Sequence, residues 1–176
     1  MSGLLAITGS ADDARLDAAL ARLARLGGEH RQRWSGEGAT LAVTRKPWEL
    51  HADFSGPVLL LEKPDLVVAA DASLYDRAGL TRALASAGIA PDGFTPTALI
   101  EAAYRAWGPA LTEHLVGDYA FVIWDRRLRR LVAARDPLGM RPLYWAELGD
   151  RIAVGSSSRA LAELAGRAGA LNLASL

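Results

Sequence analysis

The chain has 176 residues, 51% of them hydrophobic, enough to close one domain-sized core. Its 20 basic and 20 acidic residues cancel, which excludes a global field favouring nucleic acid, a membrane surface or an acidic substrate. Cysteine is absent, so disulfides, thiolate metal sites and a cysteine nucleophile are excluded together.

The first residues have no basic leader and reach only a short apolar run before Asp12 and Asp13, so they do not read as a signal peptide. No apolar run approaches the ~18 residues needed to span a bilayer. A cytoplasmic protein is expected, with no membrane or nucleic-acid partner.

Residues 4–8 form a short apolar run ended by Gly9-Ser10, which predicts a buried first strand. Asp12 or Asp13 then caps a helix carrying Leu16, Leu20 and Leu23 at helical spacing, stopped by Gly27-Gly28. Residues 29–38 are polar and contain glycine, the composition of a loop. Strands are predicted at 40–44, 58–61 and 66–70, separated by segments holding Pro47, Pro57 and Pro64. Asp76 caps a helix running to Leu84, and a second helix spans 97–107 with Leu99, Ile100, Ala103 and Tyr104 inward.

A helical turn is expected near 111–115. Beyond it, residues 119–124 are almost wholly apolar, the mark of a strand covered on both faces. Arg126, Arg127, Arg129 and Arg130 mark the solvated tip of a hairpin that returns through 131–134. Residues 143–145 and 152–154 pair around Leu148-Gly149-Asp150, and Ser157 or Ser158 caps a closing helix to Leu164. Trp124 and Trp145 fall in strand patterns and are expected in the core or on a sheet face. His30, His51 and His114 lack ligand spacing, so no metal is expected. Helices followed by runs of hairpins imply an α+β protein.

Three motifs then carry a resemblance. Gly117-Asp-Tyr-Ala-Phe-Val-Ile-Trp-Asp125 is similar to the Gly-x-Phe-Ala-Phe-x-x-Trp/Tyr-Asp strand of the asparagine synthetase family's N-terminal glutaminase domain. Ala134-Arg-Asp-Pro-Leu-Gly-Met-Arg-Pro-Leu-Tyr144 resembles that family's Ala-Arg-Asp-x-x-Gly-x-x-Pro-Leu-Tyr turn, and Val154-Gly-Ser-Ser-Ser-Arg-Ala-Leu161 the strand-to-helix step after it. The resemblance covers nearly the whole chain, most strongly from Leu66 onward. It implies a four-layer αββα sandwich of antiparallel sheets, the N-terminal-nucleophile (Ntn) hydrolase fold. It implies a domain over 1–165, with 166–176 starting a linker to a synthetase domain.

The same resemblance assigns the site. Removal of Met1 would give Ser2 the place of the family's reactive cysteine, where a terminal nucleophile uses its own α-amine, of pKa near ~8, as base. The family's oxyanion-hole motif Asn-Gly-Glu-Ile-Tyr-Asn aligns with Asp71-Ala72-Ser73-Leu74-Tyr75-Asp76. A carboxylate there repels the developing oxyanion that an amide N–H stabilises by about 3–4 kcal/mol, and Ala72 adds a β-carbon where glycine stood. The simpler alternative is that Asp71 ends a strand and Asp76 caps a helix. The motif whose aspartate holds the substrate amine falls on Phe94-Thr95-Pro96, and proline offers neither charge nor donor. The Arg-Gly-Pro-Asp signature has no counterpart. Arg45 alone aligns with the arginine that grips the substrate carboxylate, the alternative being a solvated arginine after a strand.

Taken together, these losses describe a pseudo-glutaminase, since members of a catalytic unit fail together. The expected function is that of a non-hydrolytic scaffold in an ATP-dependent amide-forming enzyme, of the lasso peptide cyclase or β-lactam synthetase kind. Its partner would be a C-terminal synthetase domain, in cis or in trans, and possibly a precursor peptide. ATP and Mg would bind that domain, and no cofactor is expected in this chain. Arg135, Asp136 and Tyr144 are candidates for the domain interface, Arg135 and Asp136 being alternatively a local ion pair that fixes the turn. Two other readings are an amidohydrolase using Ser2 and a stand-alone peptide- or partner-binding module.

Overall fold

The structure, a computed structural model, describes residues 3–25, 29–36, 38–51 and 54–167. Two antiparallel sheets stack face to face. The first contains β1 (Gly3–Thr8), β2 (His30–Gly36), β3 (Ala39–Arg45), β8 (Tyr144–Leu148) and β9 (Arg151–Gly155), in the order β2-β3-β1-β9-β8. The second contains β4 (Leu60–Glu62), β5 (Leu66–Leu74), β6 (Gly117–Asp125) and β7 (Arg130–Arg135), in the order β4-β5-β6-β7. Helices α1 (Asp13–Ala24) and α4 (Ser158–Leu164) cover the first sheet; α2 (Arg77–Ser86) and α3 (Pro96–Trp107) cover the second.

Three apolar layers follow from strand alternation, because successive side chains point to opposite faces. On β5, Val67 and Ala69 enter the inter-sheet layer with Leu4, Leu41, Val122 and Trp124. Leu66, Val68, Ala70, Ala72 and Leu74 turn instead to α2 and α3, where they meet Leu84, Leu99, Ile100 and Phe121. Leu5 and Ile7 face α1 and α4 through Leu16, Leu23 and Leu161. With both faces of both central strands buried, no alternation is left to see in residues 66–70 or 119–124. Each fully buried aliphatic or aromatic side chain contributes about 1.5–3 kcal/mol. The α+β class and the αββα layering are as the residues and the resemblance imply.

Helix starts are set by side-chain caps. Asp12 accepts from Arg15 N, Asp76 from Gly79 N, Thr95 from Ala98 N and Ser157 from Ala160 N. Asp76 is therefore a cap, as expected. Pro96 occupies the first turn of α3, where its missing N–H costs nothing.

Three expectations are corrected. Residues 30–36 are a strand and not a loop: β2 pairs with β3 from His30↔Arg45 to Gly36↔Ala39. It is an edge strand with mostly exposed side chains, so polarity hid the period that Trp34 alone reports. The strand expected at 58–61 is Leu60–Glu62. Trp124 is in the core and Trp145 on an exposed face of β8, the two settings expected of them. The hairpin arginines are not all solvated. Arg126 donates to Pro64 O (3.1 Å) and to Glu62 Oε1 (2.5 Å), and Arg130 donates to the Tyr104 hydroxyl (2.8 Å).

Among the described residues no helix is long and apolar enough to cross a membrane, and no group of His, Cys, Asp and Glu is arranged to hold a metal ion.

Candidate functional site

The site lies at the start of β1, where β3, β5 and the β7–β8 turn converge. Gly3 pairs with Thr44, and a β-carbon on Gly3 would come within 2.9 Å of Thr44 Oγ1 and 3.1 Å of Leu23 Cδ2. Only glycine lets the chain enter the sheet so closely. Ser2 lies outside the described residues.

Arg45, the last residue of β3, is fully buried, not solvated. Its Nη2 donates to Ala70 O, while Nε and Nη1 have no hydrogen-bond partner among the described residues. Desolvation lowers its pKa, with the Asp71 and Glu49 carboxylates acting in the opposite direction. Asp71 does not end its strand, since β5 runs on to Leu74. It is 2% exposed and points to the face opposite Ala70 and Ala72. Burial pushes its carboxyl above the usual range, against the lowering influence of Arg141 and then Arg45.

Arg141 completes the cluster from the β7–β8 turn. Its Nη1 stands 3.3 Å from Asp71 Oδ1 and 3.5 Å from Glu49 Oε1, and its Nη2 donates to Ser73 Oγ at 3.3 Å. The contact with Asp71 is ionic without hydrogen-bond geometry, which leaves Oδ1 unpaired. Glu49, 1% exposed, is held by the short 3-10 helix Pro47–Leu50 and accepts from Lys46 N through Oε2 (3.1 Å). One buried cation, Arg45, and one half-buried cation, Arg141, thus face two buried carboxylates, a set whose formal charges cancel. Three grooves open elsewhere on the surface, and none is lined by Arg45, Asp71 or Arg141.

The turn that delivers Arg141 is built on Asp136. This buried carboxylate accepts from Met140 N through Oδ1 (2.9 Å) and from Arg141 N through Oδ2 (3.0 Å), while its own N–H donates to Tyr119 O (2.8 Å). Desolvation works to raise its pKa, but the backbone N–H bonds from Arg141, Met140 and Tyr119 outweigh it and hold the carboxyl below the ordinary value. The turn is therefore fixed through backbone donors. No Arg135–Asp136 ion pair forms among the described residues; Arg135 is exposed and Tyr144 is 46% exposed.

Arg45 and Asp71 lie close enough to act on each other's charge. Ala72 is not part of that face: its side chain packs in the apolar layer under α2 and α3, and only its backbone borders the site, its carbonyl accepting from Ser55 Oγ (2.9 Å). Pro96 caps nothing and begins α3. Sequence reasoning missed Glu49, Ser73 and Arg141. Arg141 sat in plain view inside the Gly-Met-Arg-Pro turn, and Glu49 three residues after Lys46 carries the spacing of a capping box.

Chemically, the cluster has cations able to hold a carboxylate and a buried carboxyl, Asp71, beside them. The donors expected of an oxyanion hole, amide N–H groups aimed at one point, are not supplied by the Asp71 side chain.

A family profile described as "Glutamine amidotransferase domain" matches residues 1–176. Among curated proteins, the putative glutamine-hydrolysing asparagine synthetase of Mycobacterium tuberculosis (strain ATCC 25618 / H37Rv) is 40% identical over 65 residues, 37% of this chain and 10% of that protein. Asparagine synthetase 3 of Bacillus subtilis (strain 168) is 31% identical over 88 residues, 50% of this chain and 14% of its own length. The matched segments are thus a small fraction of these relatives. Among solved structures, an allosteric regulatory enzyme of purine biosynthesis superposes with a TM-score of 0.73 at 17% identity, over 92% of this chain and 43% of the other. The glutamine phosphoribosylpyrophosphate amidotransferase of B. subtilis, complexed with ADP and GMP, gives 0.66 at 20% identity, over 93% and 43%. At such identities the superpositions speak for the fold alone, and they agree with the two-sheet sandwich.

Proposed function

The chain belongs to the family of glutamine amidotransferase domains, of the kind found in asparagine synthetase-like proteins, and from that premise we propose that it no longer hydrolyses glutamine. It serves as the scaffold domain of an ATP-dependent amide-forming enzyme. The observation that carries this reading is the buried Arg45–Asp71–Arg141–Glu49 cluster. Its Asp71 carboxylate is the residue that motif resemblance aligns with the oxyanion donor, and the formal charges of the cluster cancel without a bound amino acid. The residue that the resemblance aligns with the α-amine anchor is Pro96, which opens α3 and carries no carboxylate.

An amide synthetase needs no ammonia when the substrate carries its own amine. A carboxylate is first activated by ATP with loss of pyrophosphate, and the internal amine then displaces AMP from the acyl adenylate. Lasso peptide cyclases and β-lactam synthetases work in this manner and resemble the present chain in lacking the terminal cysteine. The ATP- and Mg-binding part is a separate synthetase domain, joined in cis or docked in trans, and the setting is cytoplasmic. Arg135 and Tyr144 stay available to that domain, whereas Asp136 is committed inward to its turn.

The test is glutamate release from glutamine by protein whose free Ser2 terminus has been verified by mass, beside its Ser2→Ala variant. Both are expected to match buffer. Release that disappears in Ser2→Ala would establish the hydrolase reading instead.

A further inference from the structure

The inter-sheet layer is sealed along one long side and open along the other. On the sealed side the edge strands β2 and β4 are tied across. Trp34 Nε1 donates to Glu62 Oε1 (2.9 Å), Leu60 N donates to Gln32 Oε1 (3.2 Å), and Arg126 lies 4.9 Å from the centroid of the Trp34 ring. On the open side the free edges are β7 and β8, and a groove of about 700 Å³ runs between them. Leu131, Ala133, Leu143, Ile152 and Val154 line it, with Trp145 exposed at its rim.

The groove has a sign. Arg129, Arg130 and Arg135 border it, none of its lining residues is acidic, and neither Arg129 nor Arg135 is ion-paired among the described residues. Beside it β7 offers an edge row of backbone N–H and C=O groups with no further strand next to them among the described residues.

We propose that this groove takes an extended, acidic polypeptide segment that adds to β7 as a fifth strand of its sheet. Main-chain hydrogen bonds would supply affinity. Alternate side chains would enter the groove, apolar ones over Leu131 and Ala133 and carboxylates at the two ends of the segment, beside Arg129 and Arg135. A second copy of the chain is the wrong occupant: antiparallel pairing of β7 with itself sets Arg130 against Arg135, and like charges directly opposite repel. The edge of β8 is a poorer match, since it carries Glu147 and no basic residue. This assignment stands on the open edge and its charge, independently of whether glutamine is hydrolysed.

The test titrates the chain with three capped peptides about eight residues long. One carries Val at the central groove-facing positions and Glu at the end ones, with Thr at the positions facing away; one has Lys in place of each Glu; and one is the Val–Glu peptide with a central proline. Calorimetry measures binding, and amide hydrogen exchange reports on β7. The Val–Glu peptide is expected to bind at least ~10-fold more tightly than the Val–Lys peptide, to protect β7 amides, and to lose binding when interrupted by proline. Exchanging both exposed arginines, Arg129→Glu with Arg135→Glu, is expected to invert the charge preference. Equal binding of the two charge forms, protection at β8 alone, self-association of the chain through β7, or no binding of any peptide would overturn the proposal.

Discussion

Two aspartates six residues apart show what burial does to the same chemistry. Asp65 stands just before β5 and receives two hydrogen bonds from Arg105, at 2.8 and 2.9 Å, near the surface. The Arg105 hydrogen bonds hold its carboxyl below the ordinary value despite some desolvation. Asp71, inside β5, also faces arginines, yet burial wins and its carboxyl is pushed up. An ion pair at the edge contributes a little stability; one in the interior is held against the cost of taking charges out of water. Nothing about residue type distinguishes the two sites. Position in the sandwich does.

The strongest way to break this contrast is to remove the cation that spans both buried carboxylates. Arg141→Ala leaves Glu49 and Asp71 facing Arg45 alone and is expected to cost about 3–5 kcal/mol, read from denaturant midpoints at neutral pH. At the edge, Asp65→Asn should cost no more than about 1 kcal/mol by the same measurement, and less in high salt. A comparable loss in both variants would erase the distinction.

Acid titration sharpens it by sign. Asp71 has a raised native pKa, so its contribution to stability grows as pH falls through that value and levels off near the unfolded value of about 3.9. Asp65 is depressed, so its contribution is present above the unfolded value and disappears as pH falls through the native one. Relative to wild type, Asp71→Asn should lose an acid-side gain, and Asp65→Asn should lose part of the acid-side decline. Parallel pH curves for the two variants would contradict the assignment.

The smallest effect belongs to the open groove. Trp145→Ala is expected to change stability by less than about 0.5 kcal/mol, because the ring is two-thirds exposed. Trp34→Ala on the sealed side should cost about 1–2 kcal/mol through the lost Glu62 hydrogen bond and the lost Arg126 contact. Equal losses in thermal or chemical unfolding would mean that the two sides are finished alike.

Fold and site were legible to different depths. Buried strands such as β5 and β6 announce themselves as apolar runs, and the caps at Asp12, Asp76 and Ser157 are local features that any reader of the chain can place. β2 was invisible because its pairing is made by backbone, while its side chains face solvent. Motif resemblance led to Arg45 and Asp71 but not to their burial, which depends on their two sheets lying face to face. Ala72 was misplaced for the same reason: alternation along β5 sends it to the helix side, one residue away from Asp71. Arg141 needed the turn built on Asp136 to be folded before its reach was apparent.

The central claim concerns a pocket filled by its own charges. Intact-mass analysis after incubation with the glutamine analogue 6-diazo-5-oxo-L-norleucine tests it most directly, on protein with a free Ser2 terminus. An unmodified mass is predicted at every reagent excess. A stoichiometric adduct that maps to Ser2 would contradict it.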